Sequence, residues 1–380
     1  MADVSYADKK IGVVTDLAEQ LDLSQSEQAI FLIQSAGFNA LKETLQIATG
    51  QQGFKAMSSL DQLKINNSLQ AAQEAQQQAI EAGRPPLKVE LYLWDQAYIR
   101  GIQPPVRPNQ ERGFCKVGAQ IIAAHPGVVS AVAIDREPNN PFFSKRQFNP
   151  DGTDAAAIND EKLTTTCYDI IKAVDPNVQI IGEELSASGN DNPNSRKPSH
   201  APLTFIRDFC NAYKASGRTT PVMDVFSIHY YPVAHSNPNT FGGVSDIQKV
   251  ESVLNCFQGT AQPIPPIELG EGGETTEEPS IRWDRYHNNA PGGDLAVSEA
   301  EQGQIFANEV KQVVCYQPDV TGIYNFLLID DGNTLDTGFG LAPRIQRRTG
   351  ASANMTFTPK AGFSTVKTAL TSYKNGTLCS

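Results

Sequence analysis

Residues 127–143 read GVVSAVAIDREPNNPFF, an apolar run that ends abruptly in a cluster of charged and polar residues. A short run this rich in valine, bounded by turn residues, is typical of a strand buried in a parallel sheet. The polar residues after it open a long segment that continues to residue 158. The unit is a buried strand followed by a long polar loop, and the fold depends on how often that unit recurs.

The unit recurs along the whole chain, with helix-like stretches such as SLQAAQEAQQQAIEAG (68–83) and GQIFANEVKQVVCY (303–316) in between. Strands that alternate with helices pair in parallel, and eight such units close a (β/α)8 barrel. We therefore predict an α/β fold in which residues 1–380 form one (β/α)8 TIM barrel without a second domain. The strand-like runs are KIGVVTDL (10–17), GFNALKETL (37–45), LKVELYLW (87–94), GVVSAVAI (127–134), NVQIIGEEL (177–185), MDVFSIHYY (223–231), PPIELGEGG (265–273) and VTGIYNFLLID (320–330).

The loops predict which end of the barrel carries the site. Segments that lead into strands are short and turn-like, such as GRPP, HPG, DPN and QPD. Segments that leave strands are long and polar, namely residues 135–158, 186–203, 232–245 and 272–300. Because barrels of this kind build their sites at the carboxyl ends of the strands, the long loops predict a functional site there.

The composition argues against several partners. A net charge of −11 opposes the phosphate backbone of nucleic acids. No run approaches the ~18 consecutive apolar residues that a membrane helix needs. The His and Asp residues show no metal-ligand spacing, and no Cys-x-x-Cys pair occurs. We expect a monomer without nucleic-acid or membrane partners, without a cofactor and without a metal.

Six cysteines lie far apart in the chain. Cys167 and Cys210 fall on neighbouring predicted helices, as do Cys256 and Cys315, so two disulfides between helices are geometrically possible. The alternative is that all six are small buried hydrophobic residues. The six are Cys115, Cys167, Cys210, Cys256, Cys315 and Cys379.

Two glutamates stand at strand ends that meet in such a barrel. Glu137 follows the fourth run and Glu271 closes the seventh. Two carboxyl groups suit glycoside hydrolysis, in which one protonates the leaving oxygen and the other attacks the anomeric carbon; a separation of about 5–5.5 Å indicates retention of configuration. Glu268 and Glu274 are alternatives to Glu271, but Glu268 lies in mid-strand and Glu274 lies beyond two glycines.

Three motifs resemble those of clan A glycoside hydrolases, nearest to the bacterial families 5 and 39. They are Arg136-Glu137-Pro138-Asn139 for the family's strand-4 Asn-Glu-Pro-Asn, His229-Tyr230-Tyr231 for the strand-6 His-x-Tyr, and Pro266–Gly273 for the strand-7 Pro-apolar-x-apolar-x-Glu-x-Gly. The order of all eight units also fits, so the resemblance covers nearly the whole chain. It implies that Glu137 is the acid/base, that Glu271 is the nucleophile, and that His229 and Tyr231 contact sugar and nucleophile.

Other side chains near the strand ends have two interpretations. His229 and Tyr231 point the same way from one strand, but a core histidine with satisfied hydrogen bonds is the alternative. A Tyr231 hydroxyl bonded to Glu271 would help to keep that carboxylate ionised. Trp94 and Trp283 either stack on sugars or pack loops against the barrel. Hydroxyl-binding or merely structural hydrogen bonds are expected of Asp95, Asn139, Glu183, Glu184, Asn325 and Asp330. The residues that we expect to bind substrate are Lys42, Trp94, Arg136, Asn139, His229, Tyr231, Trp283 and Asn325.

The sequence departs from the family pattern at three positions. Arg136 replaces the asparagine that holds the sugar's 2-hydroxyl group, Lys42 is the nearest match to a missing strand-2 arginine, and Phe326 replaces a strand-8 tryptophan. Arg136 either restores the positive charge lost from strand 2, reads an anionic group on the substrate, or marks lost hydrolysis. Since a cation beside Glu137 favours the wrong protonation state for a general acid, Arg136 must point away or be neutralised, for example by Asp135.

The sequence thus predicts a retaining glycoside hydrolase that cleaves O-glycosidic bonds of an oligo- or polysaccharide, with an unusual or anionic sugar as the favoured explanation of Arg136. A catalytically impaired glycan-binding barrel and a transglycosylase that uses the same glutamates are the alternatives. Polysaccharides lie outside cells, so we expect an extracytoplasmic or secreted protein, although residues 1–5 show no signal peptide and a cytoplasmic location stays open.

Overall fold

The strands form a closed, all-parallel barrel in the order of the sequence, with the first strand beside the last. The structure is a computed structural model that describes residues 9–15, 22–48, 50–95, 106–231, 238–274, 276, 297–328 and 359–379. Every predicted run overlaps one strand, so the (β/α)8 prediction is confirmed. The strands are β1 (Lys10–Thr15), β2 (Ala40–Ile47), β3 (Lys88–Asp95), β4 (Val129–Ile134), β5 (Gln179–Leu185), β6 (Val225–Ile228), β7 (Ile267–Gly272) and β8 (Val320–Asn325).

Among the described residues, one α-helix follows each strand and packs outside the barrel. Short 3₁₀ segments lie at Phe54–Ala56, Val244–Asp246 and Asn255–Phe257. Within the described ranges, every helix is too short or too polar to cross a membrane. The helices are α1 (Leu23–Ala36), α2 (Ser59–Glu81), α3 (Pro108–Ala124), α4 (Ala156–Lys172), α5 (Pro202–Ser216), α6 (Ile247–Leu254), α7 (Glu299–Tyr316) and α8 (Phe363–Lys374).

Local sequence signals explain where several helices begin and end. Asp22 caps α1 and Ser298 caps α7, each in a reciprocal capping box with the residue three positions later. The chain leaves α1 at Gly37 and α5 at Gly217, both in the left-handed conformation that glycine adopts without steric cost. Turn chemistry in the sequence is therefore sufficient to place these helix boundaries.

The interior of the barrel is charged at its centre. Lys42 Nζ lies 2.7 Å from Glu184 Oε1, 2.8 Å from Glu90 Oε1 and 3.0 Å from Glu268 Oε1. Lys10 pairs with Glu90 at 3.0 Å and also with Glu268. These five side chains, which we call the interior ion cluster, are almost fully buried. Apolar branched residues usually fill this place, and a buried ion network is weak evidence for stability.

Gly270, the strand glycine nearest the interior ion cluster, leaves room for the side chains packed against it. A Cβ atom at Gly270 would collide with the side chains of Ser227 and Glu184 and would lie 2.9 Å from Lys42 Nζ. Gly272 has the same role toward the ring of Tyr230. The glycines beside Glu271 thus make room for barrel side chains.

Three disulfides tie consecutive helices together, and no cysteine is free. Cys115–Cys167 joins α3 to α4, Cys210–Cys256 joins α5 to the segment after α6, and Cys315–Cys379 joins α7 to the end of the chain, with Cα–Cα distances of 4.7, 6.3 and 5.6 Å. The pairs Cys167–Cys210 and Cys256–Cys315 were wrong. Each outer helix has two neighbours, and the side-chain direction, which sequence spacing does not reveal, selects between them.

Candidate active site

Glu137 lies in a tight turn after β4. The strand ends at Ile134, and both Asp135 (φ 62°) and Glu137 (φ 45°) adopt positive φ angles, which are uncommon for residues other than glycine. The amide of Glu137 donates to the carbonyl of Glu184 on the next strand at 3.0 Å. Strained backbone of this kind persists where its surroundings enforce it, often at functional sites. The turn presents the Glu137 side chain at the carboxyl end of the barrel.

Glu271 lies at the end of β7, and one histidine, His229, contacts both Glu271 and Glu137. His229 Nδ1 lies 2.9 Å from Glu137 Oε1, and His229 Nε2 lies 3.8 Å from Glu271 Oε2. One carboxylate oxygen of each glutamate and one imidazole nitrogen all lie within 4.8 Å of one another. Tyr231 donates its hydroxyl to Glu271 Oε1 at 2.8 Å, the contact expected from the sequence. The structure therefore brings these four predicted residues together.

Arg136 points toward Glu271. Its Nη2 atom lies 3.0 Å from Glu271 Oε1, and its guanidinium lies over the rings of Phe143, Phe326 and Trp94 at 4.9, 5.5 and 5.6 Å. Asp135 accepts the backbone N–H of Arg136. The carboxylate that pairs with the guanidinium is therefore the predicted nucleophile, and the suggestion that Asp135 neutralises this cation is wrong.

Lys42 is not at the mouth of the barrel. It is fully buried and its ammonium belongs to the interior ion cluster, so it neither reaches Glu271 nor has a surface that a substrate could touch. The expectation that Lys42 replaces the strand-2 arginine and binds substrate needs correction. Three carboxylates draw the lysine inward, and Arg136 supplies the cation at Glu271 instead.

Two asparagines expected to bind substrate are buried in the frame of the site. Asn139 donates to the carbonyls of Ser186 and His200 at 3.0 Å and accepts the amide of Ser186 at 2.8 Å, so it joins the loops after β4 and β5. Asn325 is 1% exposed and donates to the carbonyl of Leu327. Their polar atoms serve the backbone, which corrects the expectation of sugar contacts.

The predicted aromatic residues have different outcomes. Trp94 is half-buried, with its ring edge-on to Phe143 at 6.1 Å and within reach of the Arg136 guanidinium. It therefore forms part of the aromatic surround of that cation. Trp283 lies outside the described residues, as does Asp330.

Two further residues lie near Glu137: Glu184, for which the sequence left hydroxyl binding and a structural role open, and Asn140, which the sequence did not predict. Glu184, from an irregular part of β5, places Oε2 3.2 Å from His229 Nε2, on the opposite side of the ring from Glu137. Asn140 donates to Glu137 Oε2 at 2.7 Å. What the sequence did not reveal is that Glu184 binds His229, although a buried carboxylate near the end of a strand needs a partner.

The carboxylates around His229 stabilise its charged form. Burial opposes the charge, but Glu271 and the hydrogen bonds to Glu137 and Glu184 outweigh it and raise the pKa of His229 to about 9. Burial also opposes the charge on Glu184, yet Lys42 lowers the pKa of that carboxyl group below its ordinary value. His229 is thus an imidazolium held among carboxylates at neutral pH.

Three groups in the described part of the chain have ligand atoms close enough to hold a metal ion. In the first, Glu137, His229 and Glu271, the carboxylates are already bonded to Arg136, Tyr231 and Asn140. In the second, the carboxylates surround the ammonium of Lys42. The third consists of Asp154 in the loop after β4, His200 in the loop after β5 and Asp208 in α5.

No protein-family model matches the sequence, and a comparison with curated proteins finds no match. Among solved structures, the chain is similar to a family 39 glycoside hydrolase from Bacteroides cellulosilyticus WH2, with 16% identity over 97% of this chain and 65% of that chain, and a TM-score of 0.59. It is also similar to a monomeric β-xylosidase from Caulobacter crescentus CB15, with 15% identity over 95% and 67% and a TM-score of 0.54.

A third similar structure is a GH2 β-galacturonidase from Eisenbergiella tayi, with 15% identity over 96% of this chain and 51% of that chain, and a TM-score of 0.51. The chain therefore spans about half to two-thirds of the length of the proteins it matches first. At such identities the similarity concerns the fold. The chain has the (β/α)8 fold found in glycoside hydrolases, an enzyme of family 39 among them.

Proposed function

We propose that this protein is a retaining glycoside hydrolase in which Glu137 is the acid/base and Glu271 the nucleophile. The observation that carries the proposal is the meeting of these carboxylates at the mouth of the barrel, with one oxygen of each inside the same 4.8 Å group as a nitrogen of His229. Retaining enzymes keep their carboxyl groups about 5–5.5 Å apart, whereas inverting enzymes need about 6.5–9.5 Å for a water molecule. The fold shared with glycoside hydrolases supports the same reaction class.

The contacts suit each glutamate to its step. Tyr231 and Arg136 both bind Glu271 Oε1, which orients the carboxylate for attack on the anomeric carbon. As the glycosidic bond breaks, Glu137 gives its proton to the leaving oxygen. It then takes a proton from the water that hydrolyses the glycosyl-enzyme ester.

Trapping the covalent intermediate tests this mechanism. An activated 2-fluoro sugar should label the peptide that contains Glu271, because the second step is slowed more than the first. Activity found in a screen of aryl glycosides and polysaccharides should fall to the detection limit in Glu271→Gln. Glu268→Gln, three residues earlier on the same strand, is the matched control for labelling. Folded protein that no activated sugar labels would support a glycan-binding barrel instead. Product analysis at high acceptor concentration would identify a transglycosylase.

A substrate with an anionic sugar is the alternative that the sequence suggested, and it concerns Arg136. A cation stands where the resembling family has a neutral amide, and guanidinium groups bind carboxylates in a planar fork. The 3.0 Å contact with Glu271 favours a different role, in which Arg136 supplies the positive charge that strand 2 lacks. The two roles differ in whether substrate preference depends on Arg136.

We also propose an extracytoplasmic location, now supported by the three disulfides. Disulfides form and persist in oxidising compartments and are rare where glutathione keeps thiols reduced. A polysaccharide substrate outside the cell is consistent with the same compartment.

A further inference from the structure

Glu184 lies beneath the proposed catalytic pair and binds two cations. Its two carboxylate oxygens bind different cations: Oε1 lies 2.7 Å from Lys42 Nζ, and Oε2 lies 3.2 Å from His229 Nε2. Glu184, Lys42 and His229 are all fully buried. Glu184 therefore connects the interior ion cluster to the histidine that contacts Glu137.

Lys42 keeps Glu184 ionised, and an ionised carboxylate can only accept hydrogen bonds. Burial opposes the charge on Lys42, but the carboxylates of Glu184, Glu90 and Glu268 outweigh it and raise the pKa of the ammonium well above its ordinary value. Because the cation at Lys42 persists, the atom that faces Glu184 Oε2 must carry a proton. That atom is His229 Nε2, so the tautomer of the ring is decided by its partner.

With a proton on Nε2, the other nitrogen shares the second proton with Glu137. His229 Nδ1 and Glu137 Oε1 are 2.9 Å apart, so the proton lies either on the imidazolium or on the carboxylic acid. Two coupled groups of this kind titrate as a pair. We infer that Glu184 is a positioning residue that fixes the Nε2–H form of His229 and thereby leaves Nδ1 to exchange the acid/base proton with Glu137.

Groups on or after each strand from β2 to β7 surround His229 and influence where the shared proton lies. Tyr92 lies 3.5 Å from Nε2, and burial raises its pKa well above the ordinary value, so its hydroxyl stays neutral. The titratable and charged groups are Lys42 on β2, Tyr92 on β3, Arg136 and Glu137 after β4, Glu184 on β5, Tyr231 after β6 and Glu271 on β7.

Nuclear magnetic resonance of ¹⁵N-labelled histidine tests the inference without any substrate. The chain has five histidines, and the His229 signals are assigned by their loss in His229→Gln. In the wild-type protein at pH 7, Nε2 should be protonated. In Glu184→Gln, loss of the adjacent charge should lower the titration midpoint of His229 by at least about one pH unit. An unprotonated Nε2 in the wild-type protein would overturn the inference even if the variant does not fold.

Glu268→Gln is the matched control, because Glu268 is equally buried and also binds Lys42, at 3.0 Å, but belongs to the layer below His229. It should leave the midpoint unchanged, and equal shifts in both variants would contradict a specific role of Glu184. The inference rests on the proposed function only for its catalytic consequence. In the active enzyme, Glu184→Gln should move the alkaline limb of kcat/KM to lower pH, whereas absence of all glycosidase activity would reject the proposed function and leave the resonance result standing.

Discussion

Arg136 is the residue at which this site differs most from the family it resembles. The guanidinium pairs with Glu271 and lies among three aromatic rings, in an arrangement that holds a flat cation against a carboxylate. The side chain is 14% exposed while that of Glu271 is 1% exposed. Removing one partner of such a buried pair leaves an uncompensated charge, so Arg136 affects Glu271, the proposed nucleophile, before it affects any substrate.

Replacing Arg136 by asparagine should therefore lower kcat/KM on neutral and anionic glycans by a similar factor, about 10²- to 10³-fold, as when one preorganised donor is lost from a site. Steady-state kinetics on a matched pair of substrates, one with a hydroxymethyl group and one with a carboxylate, measures the two factors. Arg136→Lys keeps the charge and loses the planar fork, and it serves as the control. A loss confined to the anionic substrate would establish anion reading instead.

Site residues could be predicted from the sequence where a motif coincides with a strand end. Glu137, His229, Tyr231 and Glu271 all come together as the strand order requires. Lys42 was misplaced because the three carboxylates that hold it come from β3, β5 and β7, and no spacing along the chain relates them. Whether each other predicted residue joins the site depends on the direction of its side chain, into the barrel or toward its mouth.

At the scale of elements, the irregular part of β5 directs side chains toward the site, and the disulfides link the outer helices. Glu183 and Glu184 both have positive φ angles where the register between β5 and β6 shifts. Such an irregularity changes the direction of side chains and can place consecutive residues outside their strict alternation. The helices outside are fastened in consecutive pairs by three disulfides that each close a loop of 46 to 64 residues.

Removing one disulfide should destabilise the protein strongly. In the chain-entropy model a loop of this length corresponds to about 4 kcal/mol of free energy of unfolding. The double variant Cys115→Ala/Cys167→Ala should lose an amount of that order in urea denaturation. Mass measurement of the alkylated protein before and after reduction should detect six thiols only after reduction; thiols present without reductant would contradict the pairing and weaken the proposed location.

At the scale of the whole molecule, buried carboxyl groups other than the two proposed catalytic glutamates control the dependence of stability on pH. Burial raises the pKa of Asp135 to about 7 and those of Asp154 and Asp208 to about 6, and it raises the pKa values of Asp160 and Glu183 well above their ordinary range. The folded protein thus holds protons that the unfolded chain releases above about pH 4. Their contribution to stability is complete below that pH and is lost as the pH rises through 6 and 7.

The free energy of unfolding should therefore decrease between about pH 4.5 and pH 7.5, opposite to the usual trend for paired carboxylates. Urea denaturation across this range measures the slope. The double variant Asp154→Asn/Asp208→Asn should flatten the curve, because it removes two groups that gain protons on folding. Exposed Glu27, replaced by glutamine, should leave the slope unchanged. A stability that rises across this range would show that these groups fold in their ionised form.

The sequence by itself determined the eight strand–helix units, the end of the barrel that carries the site and the two glutamates there, because periodicity, turn residues and strand-end motifs are local signals. Tertiary structure alone decided the cysteine partners, the inward position of Lys42 and the pairing of Arg136 with Glu271. It also placed Glu184 under His229. These outcomes depend on side-chain directions across a closed barrel, where charges far apart in the chain meet in a medium of low dielectric constant that makes their pairing energetically decisive.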